Sequence, residues 1–183
     1  MTTYYKFLNA RGVGRHSGKR LPIGEWIRVD GPLKMCANGI HVTKLPTAIE
    51  WLDERCHVVD VRGEKIVSDE KICCREVYIH TALETWNDCT ARLFAADCAE
   101  RVLPLFERER PHDDRPRKAI EAARAFARGE ITAAAWAAAR DAAWDATWAA
   151  AWDAAWAAAG DAEKKWQTRR LGRYLRGEIG VER

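Results

Sequence analysis

Apolar residues follow two different rhythms along this chain. Up to about residue 80, short runs rich in β-branched and aromatic residues are separated by Gly, Pro and Asp, the pattern of strands and turns. Residues 3–8, 25–29, 39–43, 56–61 and 72–79 are the predicted strands. Residues 9–20 (NARGVGRHSGKR) form a glycine-rich basic loop, and Asp30-Gly31-Pro32 closes the second strand as a turn. Residues 45–52 predict a short helix, with Pro46 near its first turn and Thr43 or Thr47 as its cap. Turns around Arg62-Gly63-Glu64 and Ser68-Asp69-Glu70 are expected to separate the last two strands.

From Thr81 the period becomes helical. Leu83, Trp86, Leu93, Phe94, Cys98, Val102, Leu105 and Phe106 fall close to 3.6-residue spacing over residues 81–107. The polar stretch 107–116 reads as a loop and 117–128 as a second helix, punctuated by Gly129. Residues 131–159 (ITAAAWAAARDAAWDATWAAAWDAAWAAA) repeat every eight residues, and 17 of these 29 are alanine. Alanine at that density forces a helix, about 43 Å long at 1.5 Å per residue. Gly160 ends it, and residues 161–175 make a last, basic helix. The fold class is therefore α+β. A small N-terminal domain with a mixed sheet (residues 1–80) precedes a C-terminal four-helix unit (residues 81–183) that contains the long Ala/Trp helix.

The tryptophans of the repeat wind around that helix. A four-residue step advances 400°, so Trp144, Trp148, Trp152 and Trp156 sweep about 120°, and Trp136 widens the sweep to about 200°. One neighbouring helix cannot cover such a ridge. It is either core, packed against at least two neighbours, or a partner surface, since Trp is enriched at binding hot spots. Nucleotide stacking is disfavoured, because Asp141, Asp145 and Asp153 flank the ridge and would repel phosphate.

Composition narrows the classes. A net charge of +3 is too small to imply a nucleic-acid binder and argues against an acidic DNA mimic. Arg140, Asp141, Asp145 and Asp153 exclude the Ala/Trp helix as a membrane span. No basic n-region with an apolar stretch opens the chain, so a cytoplasmic location with reduced thiols is expected for Cys36, Cys56, Cys73, Cys74, Cys89 and Cys98. No Cys-x-x-Cys pair occurs, and neither a metal nor a cofactor is expected.

Candidate chemistry is sparse. His41 lies between Ile40 and Val42 on a predicted strand, where a hydrogen-bonded structural histidine is the stronger reading over a catalytic one. Cys36, His41, Cys73 and Cys74 are the residue types of a metal site, but buried apolar thiols explain the cysteines better. Arg11, Arg15, Lys19 and Arg20, with His16, make a basic loop suited to phosphate or an acidic surface; a solvated loop is the plainer alternative. The cations of residues 164–176 fit an acidic partner, or equally a helix C-terminus. No nucleophile-elbow, P-loop, dinucleotide or zincin pattern is present.

Three resemblances add to this. Residues 4–80, through YKFL, the Cys36-x-x-Gly39-Ile40-His41 motif and the closing Arg75-Glu76 strand, resemble a small domain of unknown function found in phage and bacterial proteins. Residues 96–130 are similar to the Ala-rich helical family of immunity proteins, through Asp97-Cys98-Ala99, Val102-Leu103-Pro104, Phe106-Glu107, Asp114-Arg115-Pro116-Arg117 and the AIEAARA run. That likeness implies a role in bacterial conflict and brings no catalytic residue with it; here Trp replaces the small or His positions of the family's Ala-rich continuation. GIHVTKLPTAIEWL more faintly resembles the strand–helix segment of ADP-ribosyltransferase-like folds, which would make His41 and Glu76 the catalytic pair of an NAD-using enzyme.

The reading that results is a non-enzymatic binding protein of phage–bacterial conflict, an immunity or anti-defence inhibitor. It would occupy a protein or protein–nucleic-acid complex of host or phage. Direct nucleic-acid binding is not favoured, and no membrane is involved. Trp144, Trp148, Trp152 and Trp156 and the basic loop are its expected contact residues. The alternatives are the NAD-using enzyme and a structural component of a phage assembly.

Overall fold

The computed structural model describes residues 2–15, 18–144 and 148–180, with the side chains of residues 140–159 outside that description. The fold is α+β, an antiparallel sheet followed by helices. The chain divides into two compact units, Met1–Asn87 and Asp88–Arg183.

The first unit contains β1 (Tyr4–Leu8), β2 (Trp26–Arg28), β3 (Ile40–Val42), a 3-10 helix (Leu45–Glu50), β4 (Arg55–Val67) and β5 (Ile72–Ala82). Every strand pairing described is antiparallel. β1 borders β4, β4 borders β5, and the far edge of β5 carries β3 opposite residues 72–74 and β2 opposite residues 76–78. Just past β3, Thr43 N–H donates to Tyr5 O (2.9 Å) and Tyr5 N–H to Thr43 O (2.8 Å). This pair joins the end of β3 back to β1. β1, β4, β5 and β3 are thus joined in a closed circuit of pairings. Inside lie Ile40, Val42, Val59, Ile72, Cys74, Val77 and Ile79, all buried.

Three sequence expectations are corrected here. Gly63 does not end a strand. β4 runs through it, and a register shift between Arg62 and Lys65 absorbs the extra residue as a bulge, with Gly63 at φ +74°. The reversal between β4 and β5 comes only at residues 68–71, where Ser68 N–H bonds Lys71 O. Neither Thr43 nor Thr47 caps the short helix. The capping position is Lys44, without a side-chain bond, and the two threonine hydroxyls bond each other at 2.7 Å. Residues 81–87 are not helical. β5 continues to Ala82, and Trp86 turns back to be fully buried, edge-on to Phe7 and donating from Nε1 to Asp53 O.

The second unit contains α1 (Asp88–Glu109), α2 (Arg115–Ala127), α3 (Ala133–Trp144) and α4 (Trp148–Leu175). Pro116 sits at the start of α2, where its missing N–H costs nothing. Gly129 takes φ +77° after α2, and Thr132 Oγ1 accepts the N–H of Ala135 at the start of α3. Gly160 stands at φ +42°, ψ −133°, so α4 is kinked where the sequence ends the Ala/Trp repeat. The core of α1 and α2 is Ala96, Ala99, Leu103 and Ile120. The face of α4 beyond Gly160 packs on α1, with Phe94 and Tyr174 edge to face at 6.1 Å.

Candidate functional site

The first unit contains a cleft of about 730 Å³, built on β1, β3 and the loops above them. Phe7, Ile40 and Val42 are among its lining residues and are all buried. Its wall is the reverse turn 34–38, locked by reciprocal backbone bonds between Lys34 and Asn38 (2.8 Å each). Asn38 Nδ2 anchors that turn to Asp30 O and Pro32 O. The turn holds Cys36 at φ +62°, which aims its N–H at His41 Nε2 (3.1 Å).

That bond sets the histidine's chemistry. Nε2 is the acceptor, so the neutral ring carries its proton on Nδ1. Burial, followed by the charges of Lys6 and Lys71, holds its pKa below the ordinary range, favouring the neutral form. Lys6 lies opposite, on β1, and donates to His41 O at 2.8 Å. Burial pushes its ammonium down to about 8, partly offset by the neighbouring Cys74. At the rim Lys71 Nζ stands 4.8 Å from the Trp51 ring centre. Lys6, Arg15, Lys19 and Lys71 all line the cleft, and no Asp or Glu does among the described residues.

The basic loop is thus split. Arg15 and Lys19 line the cleft, whereas Arg11 and Arg20 do not and are exposed. The loop is stiffer than its glycines suggest: Asn9 Oδ1 accepts the N–H groups of Arg11 and Val13, and Val13 bridges to Arg20. His16 lies outside the described residues. Lys6 was missed by sequence reading. Position 6 alternates with Tyr5 and Phe7 as a polar residue on a strand normally would, and nothing local marks its bond to the His41 carbonyl.

His41 and Glu76 are not brought together. Glu76 does not line the cleft. It lies across from Arg62 on β4 and Arg28 on β2, and accepts from both, at 2.6 and 3.3 Å. Arg62 in turn covers Trp26 at 3.9 Å. The Glu76 carboxylate is therefore engaged in cross-strand ion pairs, and the enzyme reading loses its second residue. No three His, Cys, Asp or Glu side chains gather as metal ligands among the described residues. Cys73 instead sits beneath the 34–38 turn, its thiol 3.5 Å from Asn38 O.

In the second unit the dominant polar feature is Asp97 on α1, buried with only 8 % of its surface exposed. Its carboxylate accepts from Arg124 on α2 (2.9 Å), Arg170 on α4 (2.7 Å) and the Tyr174 hydroxyl (2.7 Å). Arg124 also grips Glu100 with two bonds. At the α1–α2 junction Arg117 makes a two-bond pair with Glu107, and Arg115 with Asp113. Of the tryptophan ridge, Trp136 is described. It stacks on Phe126 at 5.3 Å and 8°, beneath the guanidinium of Arg92, and is half-buried. The side chains of Trp144, Trp148, Trp152 and Trp156 lie outside the described residues. No described helix is long and apolar enough to cross a membrane.

A family model described as "Imm-5 like putative immunity protein" matches residues 81–160. The C-terminal part of this chain is similar to that family. No curated protein and no solved structure matches the chain. Within the matched stretch, Asp97, Glu100 and Glu107 on α1 bond Arg117 and Arg124 on α2.

Proposed function

We propose that the protein is a non-enzymatic binding protein of the immunity type, acting in phage–bacterial conflict by occupying a macromolecular partner. The observation that carries this is the immunity-family match over residues 81–160. The displacement of Glu76 from the cleft, into its pair with Arg28 and Arg62, supports a binding role over the NAD-using one. The partner is a protein or a protein–nucleic-acid complex of host or phage. Its contact surface is the tryptophan ridge and the outer cations of the basic loop, Arg11 and Arg20. Trp is the residue type best suited to a desolvated anchor, and exposed cations steer association.

The test is affinity capture with the full chain from a bacterial host, with and without phage infection. The expected result is one stoichiometric partner, lost in a Trp148→Ala/Trp152→Ala variant that retains native helicity. Recovery of no stoichiometric partner, or identical capture by the variant, overturns the proposal.

A further inference from the structure

We propose that the cleft of the N-terminal unit binds a small phosphomonoester of mononucleotide size, its phosphate meeting Lys6 and the cations at the rim. This is independent of the immunity reading, which rests on the other unit.

Three observations converge on it. The first is charge. Four cationic side chains line the cleft and no carboxylate does among the described residues. A charged ammonium held away from water is normally paired with an acid of the protein itself. Among the described residues Lys6 has instead a single acceptor, the carbonyl of His41, and burial has already pulled its amine down to about 8. An anion brought from outside supplies the missing countercharge, and a phosphate dianion answers several cations where a carboxylate answers one.

The second is the state of His41. Its Nε2 is occupied by the Cys36 N–H, and its pKa is held low, so it offers a neutral Nδ1–H donor. A neutral N–H donor complements a phosphate oxygen.

The third is size. About 730 Å³ lies within the usual range of roughly 300–1,000 Å³ for small-ligand sites, far above what inorganic phosphate fills. Phe7, Leu21, Ile40 and Val42 make much of the remaining wall apolar. The ligand therefore has an apolar or aromatic body behind its phosphate, as a nucleoside monophosphate does.

The test is calorimetric titration of the full chain with AMP, GMP, CMP and UMP, with the matching nucleosides and with inorganic phosphate. The expected result is one-to-one binding of at least one nucleotide, at least tenfold tighter than its nucleoside and than phosphate alone. Lys6→Met is expected to weaken it at least tenfold. Should Lys6→Met fail to fold, Lys71→Gln at the rim is expected to weaken it severalfold, with His41→Phe reducing it further. Absence of binding by all four nucleotides overturns the proposal. So does equal binding of nucleoside and nucleotide, equal binding of phosphate alone, or unchanged affinity in the folded variants.

Discussion

Gly39 and Cys73 are packed so closely that a methyl group on Gly39 would stand 2.1 Å from the Cys73 sulfur. The glycine of the Cys36-x-x-Gly39-x-His41 motif is therefore required by a thiol on the neighbouring strand, and its φ of +148° is a second reason for it. Gly39→Ala is expected to lower stability by about 1–3 kcal/mol, read from urea midpoints. Adding Cys73→Ala should recover part of that loss, a coupling of about 0.5 kcal/mol or more. Simple additivity of the two changes would mean that the contact is not the cause.

Lys6 gives a pH signature of the opposite sign to that of a salt-bridged lysine. Its folded pKa, about 8, lies below the ordinary 10.5. Below pH 8 the amine is charged in both states, and the penalty of burying the charge is fully present. Between pH 8 and 10.5 the unfolded chain holds the proton and the folded chain does not, so stability rises with pH. Relative to Lys6→Met, the wild type is expected to gain about 1–3 kcal/mol across this window. The buried thiol of Cys98, pushed up to about 12, acts in the other direction but is common to both proteins; that of Cys74, pushed up to about 11, feels Lys6 and is raised further in Lys6→Met. A flat difference between the two proteins from pH 7 to 10.5 would place the Lys6 ammonium in water.

Asp97→Asn is expected to destabilise the helical unit by about 3 kcal/mol or more, because it strips charge from the acceptor of two arginines and a tyrosine in a buried setting. Urea unfolding followed by far-ultraviolet circular dichroism measures it. A cost below about 1 kcal/mol would show that Glu100 and water can satisfy the arginines without Asp97.

Glu76→Gln should cost about 1 kcal/mol or less, since Arg28 and Arg62 are both more than half exposed. Partner capture should be unchanged. Lost capture at unchanged stability would return Glu76 to the functional surface.

How far the sequence reached differs between the two units. Strands β1, β2 and β3 were legible because β-branched and aromatic runs end at Gly, Pro or Asp. Helix α2 was legible from its apolar stripe; Gly160, read as the end of one helix, breaks the helical geometry inside α4. Gly63 misled because a glycine serves a bulge as well as a turn, and only the partner strand decides which. The cleft was not legible. Lys6, His41, Arg15, Lys19 and Lys71 are scattered along the chain, and they meet through pairings no local pattern reveals, β3 with β5 and Thr43 with Tyr5. Glu76 looked like a catalytic candidate in isolation; its two arginines belong to other strands, in a register no local pattern reveals. Asp97 was visible as part of a family likeness, but its three partners lie on two other helices.

The Asp97 cluster also has a consequence in time. Arg124 lies 27 residues beyond Asp97, whereas Arg170 and Tyr174 lie 73 and 77 residues beyond it. At about 5–20 residues per second of synthesis, the first partner emerges within roughly 1–5 s and the others only after roughly 4–15 s. Helices form in about a microsecond, so α1 and α2 stand ready for seconds while the whole Ala/Trp repeat is still being made. During that interval the nascent hairpin shows the apolar face that α4 will later cover. A ribosome that stalls within the repeat would therefore leave behind an adhesive fragment, and the cell's holdase chaperones are the natural tenants of that face until residue 170 arrives.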